Sequence, residues 1–158
     1  MEGKKVSESM VILSQVMLPH DANPAGNIHG GVIMKLIDNA AGVVAMRHAR
    51  SNTVTASIDR LDFHYPVYVG DLITLTASLN MVGRTSMEIG VRVESEKMIS
   101  GKNHHTASAY LTFVALNKEG KSFEVPPLIL ESDEEKRRQQ NAQLRSTQRA
   151  EERRRNQD

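Results

Sequence analysis

Two segments that alternate strictly between apolar and polar residues constrain the fold more than any other feature. In DLITLTASLNMV, residues 71–82, the apolar positions are Ile73, Leu75, Ala77, Leu79 and Met81. In TSMEIGVRVESE, residues 85–96, they are Met87, Ile89, Val91 and Val93. A period of two predicts β-strands with one face on the core and the other in solvent. The polar positions, Glu88 among them, should therefore face outward.

Three further segments favour strands, and residues typical of turns separate the last four of the five. The additional strands are predicted at residues 6–18, 53–65 and 105–117. Pro66, Gly70-Asp71, Gly83-Arg84 and the run SGKN at residues 100–103 mark the turns between neighbouring segments. Short connections between successive strands indicate an antiparallel meander.

One segment before the C-terminal region, from about Gly31 to His48, has the length and composition of a helix. Apolar residues occur on nearly every side of it, which indicates a buried helix. The predicted fold class is α+β, with an antiparallel sheet of about five strands wrapped around one long central helix. Such a sheet has free edges and an uncovered face, so we expect a homodimer or a larger homo-oligomer.

Charge and cysteine content exclude several classes of function. Twenty Lys and Arg residues against 19 Asp and Glu residues give a net charge of +1, so no overall field attracts nucleic acid or a membrane. The absence of cysteine excludes disulfides, thiolate metal sites and a cysteine nucleophile. The N-terminal MEGKKVSES lacks the apolar core of a signal peptide. We expect a cytoplasmic protein without stable membrane association.

Composition changes near Glu131 and divides the chain into a domain at residues 1–130 and a charged tail at residues 131–158. The tail interleaves acids and bases, and Leu144 is its one large apolar residue. It cannot form a core, so we expect a solvated segment that is helical or disordered. The alternative, contact of Arg153-Arg154-Arg155 with a polyanion, is weakened by the neighbouring acids.

The segment PHDANPAGNIHGGVIMKLID, residues 19–38, combines features of a catalytic site. Amides at a helix N-terminus have no intrahelical partner, and Gly30 and Gly31 would let a ligand approach them closely. A carbonyl oxygen there would be polarised as in an oxyanion hole. Asp38, two turns further along among apolar residues, could act as a general base or nucleophile. No Gly-x-Ser-x-Gly nucleophile motif is present.

Each of these residues also has a structural explanation. Gly30-Gly31 could simply permit a tight helix entry, and Asp38 could pair with Lys35 or with a polar group of a neighbouring subunit. His29 could be a structural hydrogen-bonding residue, and Asn23, before a proline, could stabilise a turn. No metal site is expected at His104-His105, because no partner ligands accompany them.

Several motifs together resemble the acyl-CoA hydrolases with a hotdog fold, in particular their cytosolic long-chain and broad-specificity branch. The first group is Asp21-Ala22-Asn23, Gly26-Asn27, His29-Gly30-Gly31, Met34-Lys35, Asp38, Ala41-Gly42 and Arg47-His48. The second is Phe63-His64-Tyr65-Pro66-Val67, Val69-Gly70-Asp71 and Gly83-Arg84-Thr85-Ser86. The resemblance ends near Pro126-Pro127 and so covers nearly all of the chain except the tail.

The resemblance implies specific roles for these residues. Asp38 matches the family's catalytic carboxylate, and Asn23, with Asn27 as the second choice, matches its catalytic asparagine. The His29-Gly30-Gly31 turn would bind the thioester carbonyl. The turn of Gly83, Arg84, Thr85 and Ser86 resembles a segment that contacts the nucleotide of CoA, where Arg84 could meet a phosphate; an ordinary hairpin turn is the alternative.

The resemblance also implies an assembly. Its active sites lie across a dimer interface, and three dimers commonly associate into a hexamer. No metal or redox cofactor is implied, since CoA is part of the substrate and of the product.

The predicted function is therefore an acyl-CoA thioesterase that releases a free acid and CoA. One alternative is a non-catalytic acyl-CoA sensor in which the tail acts as the effector. Another is an enoyl-CoA hydratase of the same fold. Its loop, Asp-x-Asn-Pro-x-His, is matched by residues 21–24, but His29 lies too far beyond the proline. The sequence leaves the acyl length open, and also whether Asp38 attacks directly or through water.

Overall fold

The alternating segments form one antiparallel sheet in the computed structural model, which describes residues 1–157. Its strands are β2 (Val11–Val16), β3 (Asn52–Phe63), β4 (Leu72–Val82), β5 (Ser86–Glu96) and β6 (Asn103–Leu116). They lie in the order β2-β4-β5-β6-β3, so the three central strands follow one another as a meander. Two short strands, β1 (Lys4–Lys5) and β7 (Leu128–Ile129), pair in parallel beside this sheet. The predicted five-stranded sheet is confirmed.

The inner face of the sheet carries the apolar positions of the alternating pattern. Eight of those in β4 and β5 are at most 3% exposed: Ile73, Leu75, Ala77, Leu79, Met87, Ile89, Val91 and Val93. Met81, also predicted to face the core, is only half-buried, because a bulge interrupts the pairing with β5 between Leu79 and Met81. Each buried aliphatic side chain contributes roughly 1.5–3 kcal/mol by leaving water. The core therefore lies between this face and the long helix.

Helix α1, Gly30–Ala49, packs across strands β3 to β6. It ends at Arg50, which adopts the left-handed conformation with φ of 51°. The Arg50 amide donates a hydrogen bond to the Met46 carbonyl at 2.7 Å. In one chain only part of its circumference is buried. Met34, Val43 and Met46 are 41%, 39% and 50% exposed, so the prediction of burial on every side is wrong for the single chain.

The first predicted strand, residues 6–18, is longer than the strand observed. Residues Val6–Glu8 form a 3-10 turn instead, in which Glu8 accepts a hydrogen bond from the Lys5 amide at 2.6 Å. In a strand these backbone groups would bond to a neighbouring strand, whereas here the local cap satisfies them. Strand β2 therefore begins only at Val11. Pro19 then starts a second 3-10 turn, Pro19–Asp21, after β2 has ended.

The charged tail forms a helix that lies on the outer face of the sheet. Helix α2, Asp133–Arg155, is capped by Ser132, whose hydroxyl accepts a hydrogen bond from the Glu135 amide at 3.1 Å. Ala142 is fully buried, whereas Leu144 is 64% exposed. The expectation of a solvated segment is therefore wrong for the side of α2 that meets the sheet. Asp158, the last residue of the predicted tail, lies outside the described residues.

Contact with α2 also changes the environment of the outward-facing residues. Glu88, predicted to be solvent-exposed, is 2% exposed, and Asn80 is 4% exposed. A polar pattern on a strand therefore does not always mark a solvated face, because a polar helix can cover it. Within residues 1–157, no helix combines the length and hydropathy needed to cross a bilayer.

Candidate active site

The side chain of Asn23 stabilises the conformation of the loop before α1. Its Oδ1 accepts hydrogen bonds from the amides of Ala25 at 3.0 Å and Asn27 at 3.2 Å. Gly26, with φ of 93°, lets the chain turn back within this loop. Asn23 is therefore the turn residue that its position before Pro24 predicts. Its Nδ2 donates to no acceptor among the described residues and remains available to a ligand.

The start of α1 presents two amides without protein partners. Neither the Gly30 nor the Gly31 N–H donates to an acceptor within residues 1–157. A Cβ on Gly31 would meet nothing within 4 Å, and its φ is not positive. The fold of this chain therefore does not require glycine at position 31. The open space suits the close approach of a group from outside the chain.

A groove opens beside these amides. Its volume is about 370 Å³, and its polar lining comes from the loop and from the segment after β3: Asn23, Asn27, His64 and Tyr65. Gly30, Phe63 and Val67 supply part of its remaining wall. The Tyr65 ring stacks on the His104 ring with centroids 3.7 Å apart, which fixes that side of the groove. Asn23 and Gly30, both predicted as site residues, thus lie together.

His29 is the N-cap residue of α1, but its side chain makes no capping hydrogen bond. Its amide donates to the Asp21 carbonyl at 2.9 Å, which fixes the turn into the helix. The His29 ring is therefore free to meet a ligand beside the two glycines.

Asp38 is half-buried on α1 and is oriented by the neighbouring strand. Thr55 of β3 donates its hydroxyl to Asp38 Oδ1 at 2.7 Å, and Oδ2 accepts no hydrogen bond from a described residue. The pairing with Lys35, considered from the sequence, is not formed. Thr55 was missed by sequence reasoning. Thr55 pairs with Phe113 of β6, whose side chain is buried in the core, so both face the inner side of the sheet. A polar residue at such an inward position is the signal that could have identified Thr55.

The amides at the mouth of α1 and the Asp38 carboxylate are separated along the helix axis. Asp38 is seven positions beyond Gly31 and eight beyond Gly30, which corresponds to about 10–12 Å at 1.5 Å per residue. A general base and an oxyanion hole must both lie within about 3 Å of the reacting group. The two halves of the predicted site therefore cannot act on the same carbonyl within one chain.

The turn of Gly83, Arg84, Thr85 and Ser86 lies at the opposite end of α1. The Arg84 carbonyl accepts from the Val125 amide at 2.9 Å, and the neighbouring Pro126 carbonyl lies 2.8 Å from the His48 ring near the helix C-terminus. Twenty residues of helix span about 30 Å. Arg84 itself is exposed and forms no ion pair with another described residue. Its guanidinium is therefore an exposed cation at this end of the chain.

His48 is fully buried beneath that turn. Burial lowers the pKa of its imidazole below 6.5, against a smaller opposing effect of the Pro126 carbonyl. The ring is therefore neutral in the folded protein at physiological pH, and its place in the core is structural.

Residues 25–102 match the model of the thioesterase superfamily. A protein of Bacillus subtilis described as an uncharacterised acyl-CoA thioester hydrolase is 38% identical over 134 residues, which is 85% of this chain and 78% of that protein. The chain belongs to the thioesterase superfamily. The cytosolic acyl coenzyme A thioester hydrolase of Rattus norvegicus is 42% identical over 139 residues, 87% of this chain. The match spans only 36% of the length of that superfamily member.

Solved structures of superfamily members extend the likeness to nearly all of the chain. A hexameric acyl-CoA thioesterase has a TM-score of 0.92 at 38% identity, with 96% of this chain and 97% of that chain covered. An acyl-CoA hydrolase of Staphylococcus aureus, solved with butyryl-CoA and CoA, has a TM-score of 0.90 at 36% identity, with 98% and 94% covered. That enzyme was also solved with alanine replacing an aspartate, an asparagine fifteen residues before it, and a threonine seventeen residues after it. The hotdog fold expected from the sequence is confirmed.

Proposed function

We propose that this chain hydrolyses acyl-CoA thioesters to a free carboxylic acid and CoA. The observation that carries the proposal is the Asp38 carboxylate, held at Oδ1 by Thr55 and open at Oδ2. Asn23, Asp38 and Thr55 repeat the residue types and both spacings of the three positions replaced by alanine in the S. aureus enzyme. The names of the superfamily members support the same substrate class.

The proposed mechanism uses groups that are already oriented. The Gly30 and Gly31 amides donate to the thioester carbonyl oxygen and stabilise the charge that develops on it. Asp38 takes a proton from water as the water attacks the carbonyl carbon, or attacks that carbon itself. The C–S bond then breaks, and the CoA thiolate leaves and takes up a proton, which in the water route is the one that Asp38 removed. If Asp38 attacks directly, water then hydrolyses the acyl–Asp38 anhydride, which releases the free acid and restores the carboxylate. Asn23 Nδ2 orients the water or the carbonyl.

The separation of the amides from Asp38 implies that two copies of the chain build each site. We propose a homodimer in which Asp38 and Thr55 of one copy face the Gly30–Gly31 turn and Asn23 of the other. Association of three such dimers is supported by the hexameric superfamily member. The exposed Met34, Val43 and Met46 of α1 offer apolar surface for these contacts.

The turn of Gly83, Arg84, Thr85 and Ser86 is proposed to contact the nucleotide portion of CoA. Its distance from Gly30 in the same chain means that it would serve a site completed by another copy. Arg84 would supply a charge-assisted hydrogen bond to a phosphate. We also propose that the reaction needs no metal or redox cofactor, since water and a carboxylate suffice, and that it takes place in the cytoplasm. Dialysis against EDTA should leave turnover unchanged.

Thiol release from acyl-CoAs between acetyl and palmitoyl tests the proposal, with wild type and Asp38→Asn measured side by side. We expect release by the wild type and a decrease of roughly 10²-fold or more in the variant, the scale of general-base catalysis. Near-normal turnover by a folded Asp38→Asn protein contradicts the mechanism. Stoichiometric binding of acyl-CoA without release by the wild type would instead identify a sensor.

A further inference from the structure

Strand β3, which carries Thr55, pairs irregularly with its neighbour. Thr55 lies opposite Phe113 and Ser57 opposite Thr112, so Ala56 has no partner on β6. The irregularity recurs between Ile58 and Arg60, where Asp59 is the residue without a partner. Two extra residues within five positions are two β-bulges. The orientation of Thr55 therefore depends on a segment that backbone pairing holds incompletely.

The positions of the two bulges decide which face of the sheet each residue of β3 occupies. In one chain β3 is an edge strand paired with β6, and α1 packs against its inner face. A bulge that moved by one residue would turn the residue it passes to the opposite face. Such a shift at the bulges would turn Thr55 away from Asp38.

Helix α2 provides a contact at the second bulge. Arg149 forms an ion pair with Asp59, and the two side chains are each only 15% exposed. Asp59 is the bulged residue itself, so the ion pair fixes the position that lacks a partner on β6. Arg149 Nη1 also lies 3.6 Å from Glu88 Oε2, which ties the same side chain to the centre of the sheet.

Helix α2, which carries Arg149, is anchored to strand β5 by a second arginine. One turn earlier, Arg145 donates to both carboxylate oxygens of Glu88, at 2.7 and 3.2 Å, and lies 3.6 Å from the Tyr110 ring centroid. A bidentate pair of this kind fixes direction as well as distance. Arg149 is thus held by a contact on β5 while it binds β3.

We propose that Arg149 is a positioning residue for the catalytic carboxylate. By binding Asp59 it holds the bulged register of β3, which keeps the Thr55 hydroxyl directed at Asp38 on the opposite face of the sheet. The tail helix thereby becomes part of the support of the active site. This inference rests on the proposed function.

The test is a double-mutant cycle on the full chain, with Arg149→Gln, Asp59→Asn and the combined variant. We expect each single change to lower kcat roughly tenfold, within the ~10²-fold that a 1 Å misplacement of a reacting group can cost. KM should stay within about twofold, since neither residue lies in the groove, and the combined variant should be no slower than the singles because one ion pair is lost in each.

Two companion variants separate positioning from loss of charge. Arg149→Lys restores the cation and should recover most of kcat. Arg138→Gln removes a cation from the same helix that pairs with Glu134 one turn away, at 2.8 Å, and should keep the wild-type kcat. Equal decreases in Arg149→Gln and Arg138→Gln would overturn the proposal, because they would reflect helix charge alone.

Amide hydrogen exchange gives a readout independent of turnover. Arg149→Gln should speed exchange of β3 amides around residues 56–60, with exchange in β4 unchanged. If Arg149→Gln matches the wild type in both β3 exchange and kcat, Arg149 has no positioning role. The proposed function still stands in that case if Asp38→Asn is inactive. If the wild type hydrolyses no acyl-CoA, the proposed function fails, and unchanged β3 exchange would overturn the register argument as well.

Discussion

The Thr55 hydroxyl lies 2.7 Å from Asp38 Oδ1, so a strand at the edge of the sheet orients the carboxylate of the central helix. One oxygen is occupied by this bond, and the other is left for water or substrate. A hydrogen bond to a charged group stabilises it by about 1.5–3 kcal/mol. The bond therefore fixes the direction of the Asp38 carboxylate and leaves Oδ2 accessible.

Replacing Thr55 by valine should lower kcat roughly 10- to 100-fold, the equivalent of one hydrogen bond to a charged group. Valine has nearly the same shape, so the strand should be unaffected. Thr55→Ser keeps a hydroxyl and should retain most of the activity. Steady-state thiol release distinguishes the two, and equal rates for valine and serine would show that the hydroxyl does not act on Asp38.

Gly31→Ala should lower turnover without lowering the stability of the fold. A Cβ at this position meets nothing within the chain, and alanine favours helix over glycine by about 1 kcal/mol. The variant should thus unfold at the same or a higher temperature, yet its methyl group would obstruct a carbonyl that approaches the helix amides. Turnover should decrease further through Gly31→Ser to Gly31→Val.

Calorimetric unfolding and thiol release, measured on the same samples, test this prediction. Full activity across the alanine, serine and valine series would remove the Gly31 amide from the proposed oxyanion hole. A marked loss of stability in Gly31→Ala would show that the glycine serves the fold.

Arg145→Gln should destabilise the protein by about 3 kcal/mol, because it leaves the Glu88 carboxylate buried without its main partner. Adding Glu88→Gln should recover much of this loss, since position 88 then carries no buried charge. Urea unfolding of the two variants measures the difference. The exposed Arg137→Gln, on the same helix, is the control for loss of helix charge. A combined variant less stable than Arg145→Gln alone would contradict the explanation.

Stability should decrease as the pH is lowered through 6.5, because burial lowers the pKa of His48 in the folded state below that value. The unfolded chain then binds a proton that the folded chain does not, which favours unfolding. The loss should continue until the pH reaches the folded-state pKa. His48→Gln should flatten the pH dependence of the urea midpoint between about pH 7 and 5.5. An unchanged slope in His48→Gln would assign the effect to other groups.

The strands and the central helix were predictable because their signals are local. Alternation in β4 and β5 reflects which side chains enter the core, and the many apolar residues of α1 reflect a helix that packs on that core, although part of α1 stays exposed in one chain. The prediction failed at Val6–Glu8, where a capping carboxylate competes with strand pairing, and at Glu88. Glu88 is covered by a helix from a distant part of the chain, which no local pattern could indicate.

Short-range periodicity and residue type were sufficient to predict the fold class, the glycine pair at the N-terminus of α1 and the carboxylate two turns beyond it. Tertiary structure decided which groups meet. It placed the Thr55 hydroxyl in contact with Asp38 and brought Arg149 to Asp59, 90 positions earlier in the chain. It also placed the turn that carries Arg84 near the C-terminal end of α1, far from Gly30 at the N-terminal end. Such relationships arise from sheet order, bulges and helix length, which exist only once distant segments have packed together.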